Sequence, residues 1–345
     1  MRAGTIAAAI VLSLTGCTAT ASESEDGAAT PTVAGSSATP SQFATAGPSS
    51  ASATPTATAS PTAPQRTRSP SRTPVRFDAD EALQDVRHLA QDIGPREATS
   101  RNFAQAADFV EKRFEDLGYR VRRTSVSVPA GNSWGTPVRK GRSVNVIAEP
   151  RGFDSRHRHV VVGAHLDTIP VSPGAEDNAS GIAVMLELAR LASRQKTALP
   201  VQFIAFGAEE PRGTGDAWHH FGSQQYVADL SRAQRRAVRG MVSLDRVGVK
   251  ADYVPVCQGG PPGGDLRADL RAAGRRADVR TRSCVNQSSD HWSYDRAGMP
   301  GVRLGSIPYS GYHSRRDTVS FVDRRQLTKV GRLMWTWLHG SLQSA

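Results

Sequence analysis

Residues 160–181 read VVVGAHLDTIPVSPGAEDNASG. The β-branched start of this stretch predicts a buried strand, and the apolar residues that recur at helical spacing after Ser180 predict a helix capped by that serine. The strand therefore delivers His165, Asp167 and Asp177 to its carboxyl end, which is where open α/β sheets bind ligands. Imidazole nitrogen and carboxylate oxygen together suit zinc or a similar divalent metal.

Strands and helices alternate along the rest of the domain. The predicted strands cover residues 120–128, 143–148, 159–164, 201–206, 240–244 and 301–305, and the predicted helices cover residues 80–93, 103–117, 180–194, 222–230, 265–276 and 323–342. This alternation predicts an α/β fold. We expect a single domain with a mixed, mostly parallel central sheet and helices on both of its faces.

The first 17 residues have the pattern of an export signal. A short apolar run behind Arg2 is too short to span a bilayer, and it ends in Leu14-Thr15-Gly16-Cys17, which resembles the lipobox of bacterial lipoproteins. We therefore expect an exported protein that a lipid on Cys17 anchors to the outer face of the cell membrane, as its only membrane contact. An ordinary signal peptide and a secreted protein are the alternative.

Residues 18–74 consist almost wholly of Ala, Ser, Thr, Pro and Gly. Such a composition cannot bury enough apolar surface to offset the entropy of ordering, so we expect a disordered linker that spans roughly 40 Å. The remaining residues, 75–345, are enough for one sizeable catalytic domain with a full hydrophobic core.

The chain is strongly basic, with a formal net charge of +11 from 43 Lys and Arg against 32 Asp and Glu. The basic residues are scattered over the predicted helices, and the sequence has no basic patch interleaved with aromatic residues and no recognised nucleic-acid motif. We interpret them as a solvated surface and expect no nucleic-acid partner. Attraction to an anionic wall polymer is the alternative.

Two cysteines lie within the predicted domain, Cys257 and Cys284. In an exported domain an even pair favours one disulfide bond between them. A buried pair of free thiols is the alternative.

Further acids and a histidine follow the later predicted strands. Glu209 and Glu210 come after the fourth strand, Asp245 after the fifth and His313 after the sixth. Adjacent carboxylates at the end of an apolar strand are costly unless something binds them. Together with His165 and Asp177 of the first stretch, these residues can form two zinc sites of three ligands each if both sites share Asp177. Each site would keep an open position. Glu209 then remains free as a general base.

An ordered set of motifs also carries a family resemblance. The motifs are AHLDT, GAEDNASG, FGAEE, SLD, SDH and YHSRRDT. In this order they resemble the co-catalytic di-zinc aminopeptidases of the bacterial leucyl aminopeptidase type, metallopeptidase family twenty-eight. The match runs from Phe77 to the carboxyl terminus, and Gly94-Pro95-Arg96 resembles the family's early turn.

This resemblance implies two Zn²⁺ per chain and peptide substrates with a free amino terminus. The implied ligands of one zinc are His165, Asp177 and Asp245, and those of the other are Asp177, Glu210 and His313. The implied general base is Glu209, the implied partner that orients His165 is Asp167, and the implied donor to the scissile oxygen is Tyr312.

The sequence departs from the family pattern at two places. The segment after Glu210 is longer than the family's usual link, so the pocket wall there is unusual. It contains His219 and His220, which could approach the site but which we interpret as an exposed loop pair. Arg246 stands where many members have an apolar residue, and we expect it to alter the substrate pocket.

Three rival classes remain. The aminoacylase/carboxypeptidase type has similar ligands but inserts a large lid domain, for which the 67 residues between Asp245 and His313 leave no room. A glutaminyl-cyclase-like acyltransferase resembles this fold with one working zinc, whereas five retained ligands beside a double Glu favour hydrolysis. A metal-free surface binding domain would require loss of ligands, and none is lost.

Overall fold

The structure, a computed structural model, describes residues 76–340, so the predicted export signal and linker lie outside the described residues. The strands are β1 (Arg120–Val128), β2 (Gly131–Ser133), β3 (Thr136–Val138), β4 (Gly141–Glu149), β5 (His159–His165), β6 (Val201–Phe206), β7 (Val238–Leu244), β8 (Val254–Gln258), β9 (Thr281–Val285) and β10 (Gly301–Leu304). The α-helices are α1 (Ala79–Arg87), α2 (Arg101–Asp116), α3 (Ser180–Arg194), α4 (Phe221–Asp229), α5 (Arg232–Ala237), α6 (Gly264–Arg276), α7 (His291–Arg296) and α8 (Arg324–His339).

Eight strands form one sheet in the order β1-β4-β6-β5-β7-β10-β8-β9, and β2 pairs with β3 in a separate hairpin. The four central strands β6, β5, β7 and β10 run parallel to one another. The pairs β1–β4, β4–β6 and β10–β8 are antiparallel. The predicted mixed, mostly parallel sheet is confirmed, and the carboxyl ends of the four central strands share one edge.

Helices cover both faces of this sheet, as predicted. On β5, Val160 and Val162 join the larger core, in which α1, α2, α3, α6 and α8 bury their apolar residues. Val161, on the opposite side of the pleat, packs in the second core with Tyr226 of α4 and Tyr294 of α7. No helix within residues 76–340 combines the length and the apolar character needed to cross a bilayer.

The predicted cap at Ser180 is wrong. Ser180 is the first residue of α3, and Ala179 is its N-cap. The Ser180 hydroxyl donates to the carbonyl of Glu176 at 2.7 Å and accepts the backbone N–H of Val247 at 3.1 Å. The serine therefore joins the turn before α3 to the loop after β7.

The first helix also differs from its prediction. It begins at Ala79, after an N-cap at Asp78. The α-helix ends at Arg87, and the remaining residues of the predicted helix, His88–Ile93, form a π-helical segment. A second π-helical turn, Ala175–Ala179, precedes α3.

Strands β8 and β9 were not predicted. The first lies in a Gly- and Pro-containing stretch, and the second follows α6. They pair in parallel, with Cys257 opposite Cys284 in the register. A disulfide bond joins these two cysteines, so the predicted pairing is confirmed.

Candidate metal centre

The predicted ligands come together because they follow neighbouring strands. His165 is the last residue of β5, the Glu209-Glu210 pair follows β6, and Asp245 follows β7. Asp177 lies in the π-helical turn before α3, and His313 lies in the loop after β10. The side chains of all five predicted ligands are at least nine-tenths buried at the carboxyl edge of the parallel strands.

The carboxylate of Asp177 lies between the two histidines. Its Oδ1 is 3.1 Å from Nε2 of His165, and its Oδ2 is 3.2 Å from Nε2 of His313. The same His313 nitrogen is 3.2 Å from Oε2 of Glu210, whereas Nε2 of His165 is 3.9 Å from Oδ1 of Asp245. Each oxygen of Asp177 therefore faces a different imidazole, which is the arrangement that a carboxylate bridging two metal ions requires.

The donor set fits zinc, because it combines buried imidazole nitrogens with carboxylate oxygens. Donor atoms of His165, Asp177 and Glu210 all lie within 4.8 Å of one another. Burial, together with the nearby charge of Asp177, raises the pKa of Glu210 to about 7, although His313 opposes the change. Burial alone would lower the pKa of His313, but the carboxylates of Glu210 and Asp177 raise it to about 10. A group of acids this buried is costly without a cation.

The turn that carries Asp177 is held by long-range hydrogen bonds. The carboxylate of Asp317 accepts the backbone N–H of Asp177 at 3.0 Å and that of Glu176 at 2.9 Å. The amide of Asn178 donates to the carbonyl of Leu244 at 2.9 Å. Asp317 belongs to the YHSRRDT motif, but its anchoring of the turn was missed in the sequence, where only Tyr312 and His313 of that motif were singled out.

Asp167 makes contacts beyond the predicted one with His165. Its carboxylate accepts the backbone N–H of Glu209 at 2.9 Å and that of Glu210 at 3.1 Å. Nδ1 of His165 lies 3.1 Å from the backbone oxygen of Asp167 and 3.9 Å from its carboxylate. The carboxylate thus holds the double-Glu turn, and the backbone oxygen is closer to the imidazole.

Arg96, from the Gly94-Pro95-Arg96 turn, binds the backbone of the loop that precedes Asp177. It is fully buried, and its guanidinium donates to the carbonyls of Leu166 at 2.7 Å, Pro173 at 2.7 Å and Gly174 at 2.9 Å. These bonds tie the loop between β5 and Asp177 to the early turn. The turn was recognised in the sequence, but this function of its arginine was not.

Two arginines approach Asp245. Nη2 of Arg303, on β10, is 2.8 Å from Oδ1 of Asp245, and Nε of Arg246 is 3.7 Å from the same atom. Arg246 also donates to the hydroxyl of Ser306 at 2.8 Å, and its guanidinium lies 4.1 Å from the centre of the Tyr312 ring. Arg303 was missed in the sequence because it lies inside an apolar strand rather than at its end.

Glu209 has two oxygens in different surroundings. Its Oε2 is 4.0 Å from Nε2 of His165, on the side of the metal ligands, and its Oε1 is 3.1 Å from Nε2 of His220. Burial, together with the neighbouring acids Asp245 and Asp167, raises the pKa of Glu209 to about 8, although His165 opposes the change.

The interpretation of His219 and His220 as an exposed pair is wrong for His220, which is 3% exposed. His219 is half-buried and also lines the cavity at the centre. The long segment after Glu210 folds back to the site, and the backbone N–H of Arg212 donates to the carbonyl of Trp218 at 2.9 Å within it. The local periodicity of the sequence does not indicate that this segment returns to the site.

Aromatic rings form the mouth of the cavity, whose volume is about 170 Å³. The ring of Tyr312 stacks on His313 at 3.7 Å between centroids, and Trp134, in the β2–β3 hairpin, meets the His313 ring edge-on at 4.4 Å. Tyr312 and Trp134 are 38% and 58% exposed, so both can contact an incoming ligand.

The SDH motif lies behind this cavity rather than within the ligand set. Ser289 and Ser243 share a hydrogen bond of 2.9 Å between their hydroxyls, and Asp290 and His291 are fully buried. Burial, with the charge of Glu209, raises the pKa of Asp290 to about 7.

Residues 145–338 match Peptidase family M28. The uncharacterized protein YfbL of Escherichia coli is 30% identical over 313 residues, which cover 78% of this chain and 90% of YfbL. Aminopeptidase YwaD of Bacillus subtilis is 30% identical over 56% of this chain, and the probable lipoprotein aminopeptidase LpqL of Mycobacterium tuberculosis is 26% identical over 62%. The matches span 43% of YwaD and 48% of LpqL.

Two solved structures show the same fold. The zinc aminopeptidase BSAP of Bacillus subtilis superposes with a TM-score of 0.66 at 19% identity, covering 76% of this chain and 94% of BSAP. The glutaminyl cyclase of Fimbriiglobus ruber superposes with a TM-score of 0.66 at 24% identity, covering 81% of this chain and 100% of the cyclase.

Proposed function

The chain belongs to peptidase family M28, and we propose that it is a zinc-dependent exopeptidase that hydrolyses the amino-terminal residue from peptides with a free amino terminus. The observation that carries this proposal is the position of Asp177, with one carboxylate oxygen toward His165 and the other toward His313. In the proposed site, His165, Asp177 and Asp245 would hold one zinc. Asp177, Glu210 and His313 would hold a second.

When bound, zinc would polarise the scissile carbonyl and lower the pKa of water beside it. Side chains of the protein carry out the proton transfers. We assign the general base to Glu209, whose Oε2 lies on the side of the metal ligands. It takes a proton from the attacking water as the C–O bond forms, and returns it to the departing amine as the C–N bond breaks.

The neighbouring residues would position these groups. Asp167 holds the backbone of Glu209 and Glu210 through two hydrogen bonds, which keeps the two carboxylates in separate directions. Tyr312, at the cavity mouth beside His313, is assigned to donate a hydrogen bond to the scissile oxygen. Trp134 supplies an apolar wall on the same side.

For the whole chain we propose an exported enzyme with a lipoprotein signal (residues 1–17), a linker (18–74) and the catalytic domain (75–345). The name of LpqL, a probable lipoprotein aminopeptidase, agrees with lipid anchoring. Cys17→Ser should release the protein from membranes or leave it unprocessed, and mass spectrometry would detect lipid on Cys17. An unmodified Cys17 in the mature chain would instead favour a secreted form.

A glutaminyl-cyclase-like activity is the second candidate. The contact of Arg303 with Asp245 favours it, because a guanidinium that occupies one oxygen of that acid weakens the first zinc site and leaves one intact. The likeness to the Fimbriiglobus ruber cyclase shows only that the fold permits this activity. A metal-free binding domain on the same fold would hold no zinc, which elemental analysis tests directly.

The deciding experiment offers the purified protein a panel of aminoacyl chromogenic substrates, the same substrates with an acetylated amino group, and peptides that begin with glutamine. The proposal predicts release of the free amino-terminal residue and no cleavage of acetylated substrates. It also predicts that a chelator abolishes the activity and that added zinc restores it. Cyclisation of the glutamine peptides without cleavage would support the second candidate instead.

A further inference from the structure

His220 enters the site by way of the long segment that follows Glu210. The backbone N–H of His220 donates to the carbonyl of Glu209 at 2.9 Å, and that of Phe221 donates to the carbonyl of Ala208 at 2.8 Å. His220 adopts a φ of 54°, in the left-handed region that non-glycine residues seldom occupy. The surrounding fold thus holds the backbone in an uncommon conformation that places this imidazole against the double-Glu turn.

The imidazole contacts one oxygen of Glu209 and leaves the other available. Nε2 of His220 is 3.1 Å from Oε1 of Glu209, with 4% and 9% of the two side chains exposed. No other basic side chain of residues 76–340 lies within 4.0 Å of that oxygen. Oε2 points to the opposite side, toward His165. Contact at one oxygen restricts rotation of the Glu209 side chain. The other oxygen therefore stays oriented toward the metal ligands.

Burial lowers the pKa of His220, although Asp290 and Asp245 oppose the change. The approach of Nε2 to Oε1 of Glu209 is a close contact between two buried polar groups, and no hydrogen bond to another described group competes for that nitrogen.

We propose that His220 is a positioning residue that holds Oε1 of Glu209, so that Oε2 faces the reacting water and the scissile bond. The inference rests on the proposed function of Glu209 as general base. It adds a histidine, supplied by the long segment after Glu210, to the residues that determine the rate of the reaction.

The test compares His220→Ala and His220→Gln with the exposed control His157→Ala in the zinc-loaded enzyme. We expect His220→Ala to lower kcat about 10- to 100-fold with little change in KM, because a misplaced base slows the chemistry more than binding. Zinc content and melting temperature should stay near those of the wild type. Glutamine, whose amide can donate from a similar position, should restore part of the lost rate, and the control should match the wild type.

A double variant shows whether His220 acts through Glu209. If it does, adding His220→Ala to Glu209→Gln should lower kcat by less than about threefold, since the base is already absent. Equal losses in both backgrounds, or an unchanged kcat in His220→Ala, would overturn the inference. If His220→Ala fails to fold, the same comparison with His220→Gln decides. A wild-type enzyme that cleaves no peptide would instead overturn the proposed function, so the two failures are distinguishable.

Discussion

The guanidinium of Arg303 lies 2.8 Å from the carboxylate of Asp245, and both side chains are almost fully buried. Arg303 also donates to the side chain of Asn286 at 3.0 Å and to the carbonyl of Ser288 at 2.9 Å, so its position is well determined. Burial alone would raise the pKa of Asp245, but Arg303 and His165 hold it well below its ordinary value. An acid assigned to zinc therefore already has one fixed cationic partner from the protein.

Replacing Arg303 by Met should make folding more dependent on zinc. The variant leaves Asp245 buried without its partner, a loss of about 3–5 kcal/mol when one member of a buried pair is removed. Bound zinc neutralises the same carboxylate, so the loss should be smaller in zinc than in chelator. Denaturant unfolding under both conditions measures the difference, with Arg303→Lys as the charge-retaining control. Equal losses with and without zinc would contradict the expectation.

Asp177→Asn should lose most of the bound zinc and nearly all activity. Both oxygens of Asp177 face histidines, and an amide offers only one oxygen and a donor group in place of the other. Elemental analysis and peptidase assays measure the two losses, with the exposed Asp116→Asn as control. A fully active Asp177→Asn enzyme would rule out a bridging role for this residue.

Glu209→Gln and Glu210→Gln should have different effects. An amide in place of the Glu209 carboxylate cannot accept a proton, so we expect normal zinc content and kcat at least about 100-fold lower, with KM changed far less. Removing the Glu210 carboxylate, which contacts His313, should instead weaken zinc binding. Zinc titration of both variants beside their kinetics makes the comparison. The opposite pattern would mean that the two carboxylates have been assigned in the wrong order.

Opening the Cys257–Cys284 bond should destabilise the domain by about 3–4 kcal/mol in the chain-entropy model, for a sequence separation of 27 residues. The double Ser variant avoids a free thiol, and its midpoint of urea unfolding should fall relative to the wild type. The reduced wild-type protein should show a similar fall. An unchanged midpoint would show that the pairing of β8 with β9 needs no covalent support.

Asp85 should make stability depend on pH. Burial raises its pKa to about 7, with Arg113 only partly opposing the change at 3.0 Å. Because an unfolded Asp titrates near pH 4, the folded state binds the extra proton between about pH 4 and 7, and this group lowers stability as the pH rises through that range. The unfolding free energy of Asp85→Asn minus that of the wild type should therefore increase from about pH 4 to pH 8. Urea unfolding of the variant and the wild type at both pH values tests this, with the exposed Asp229→Asn as a surface control.

The sequence alone determined the fold class and the order of the assigned site residues. Periodicity is local, and it indicates the central strands β5, β6, β7 and β10 without reference to the rest of the chain. Because the carboxyl ends of parallel strands meet at one edge, the positions of residues such as His165 and Asp245 at strand ends are enough to predict that they meet there.

Only the tertiary structure decided which side chains approach these residues from elsewhere. His220 reaches Glu209 through the return path of a long segment, and Arg303 reaches Asp245 because β10 pairs directly with β7. Both contacts depend on strand order and loop course, which result from packing over the whole domain. The spacing of residues along the chain contains no signal for them. For that reason the sequence indicates an exposed His220, whereas the fold buries its imidazole against Glu209.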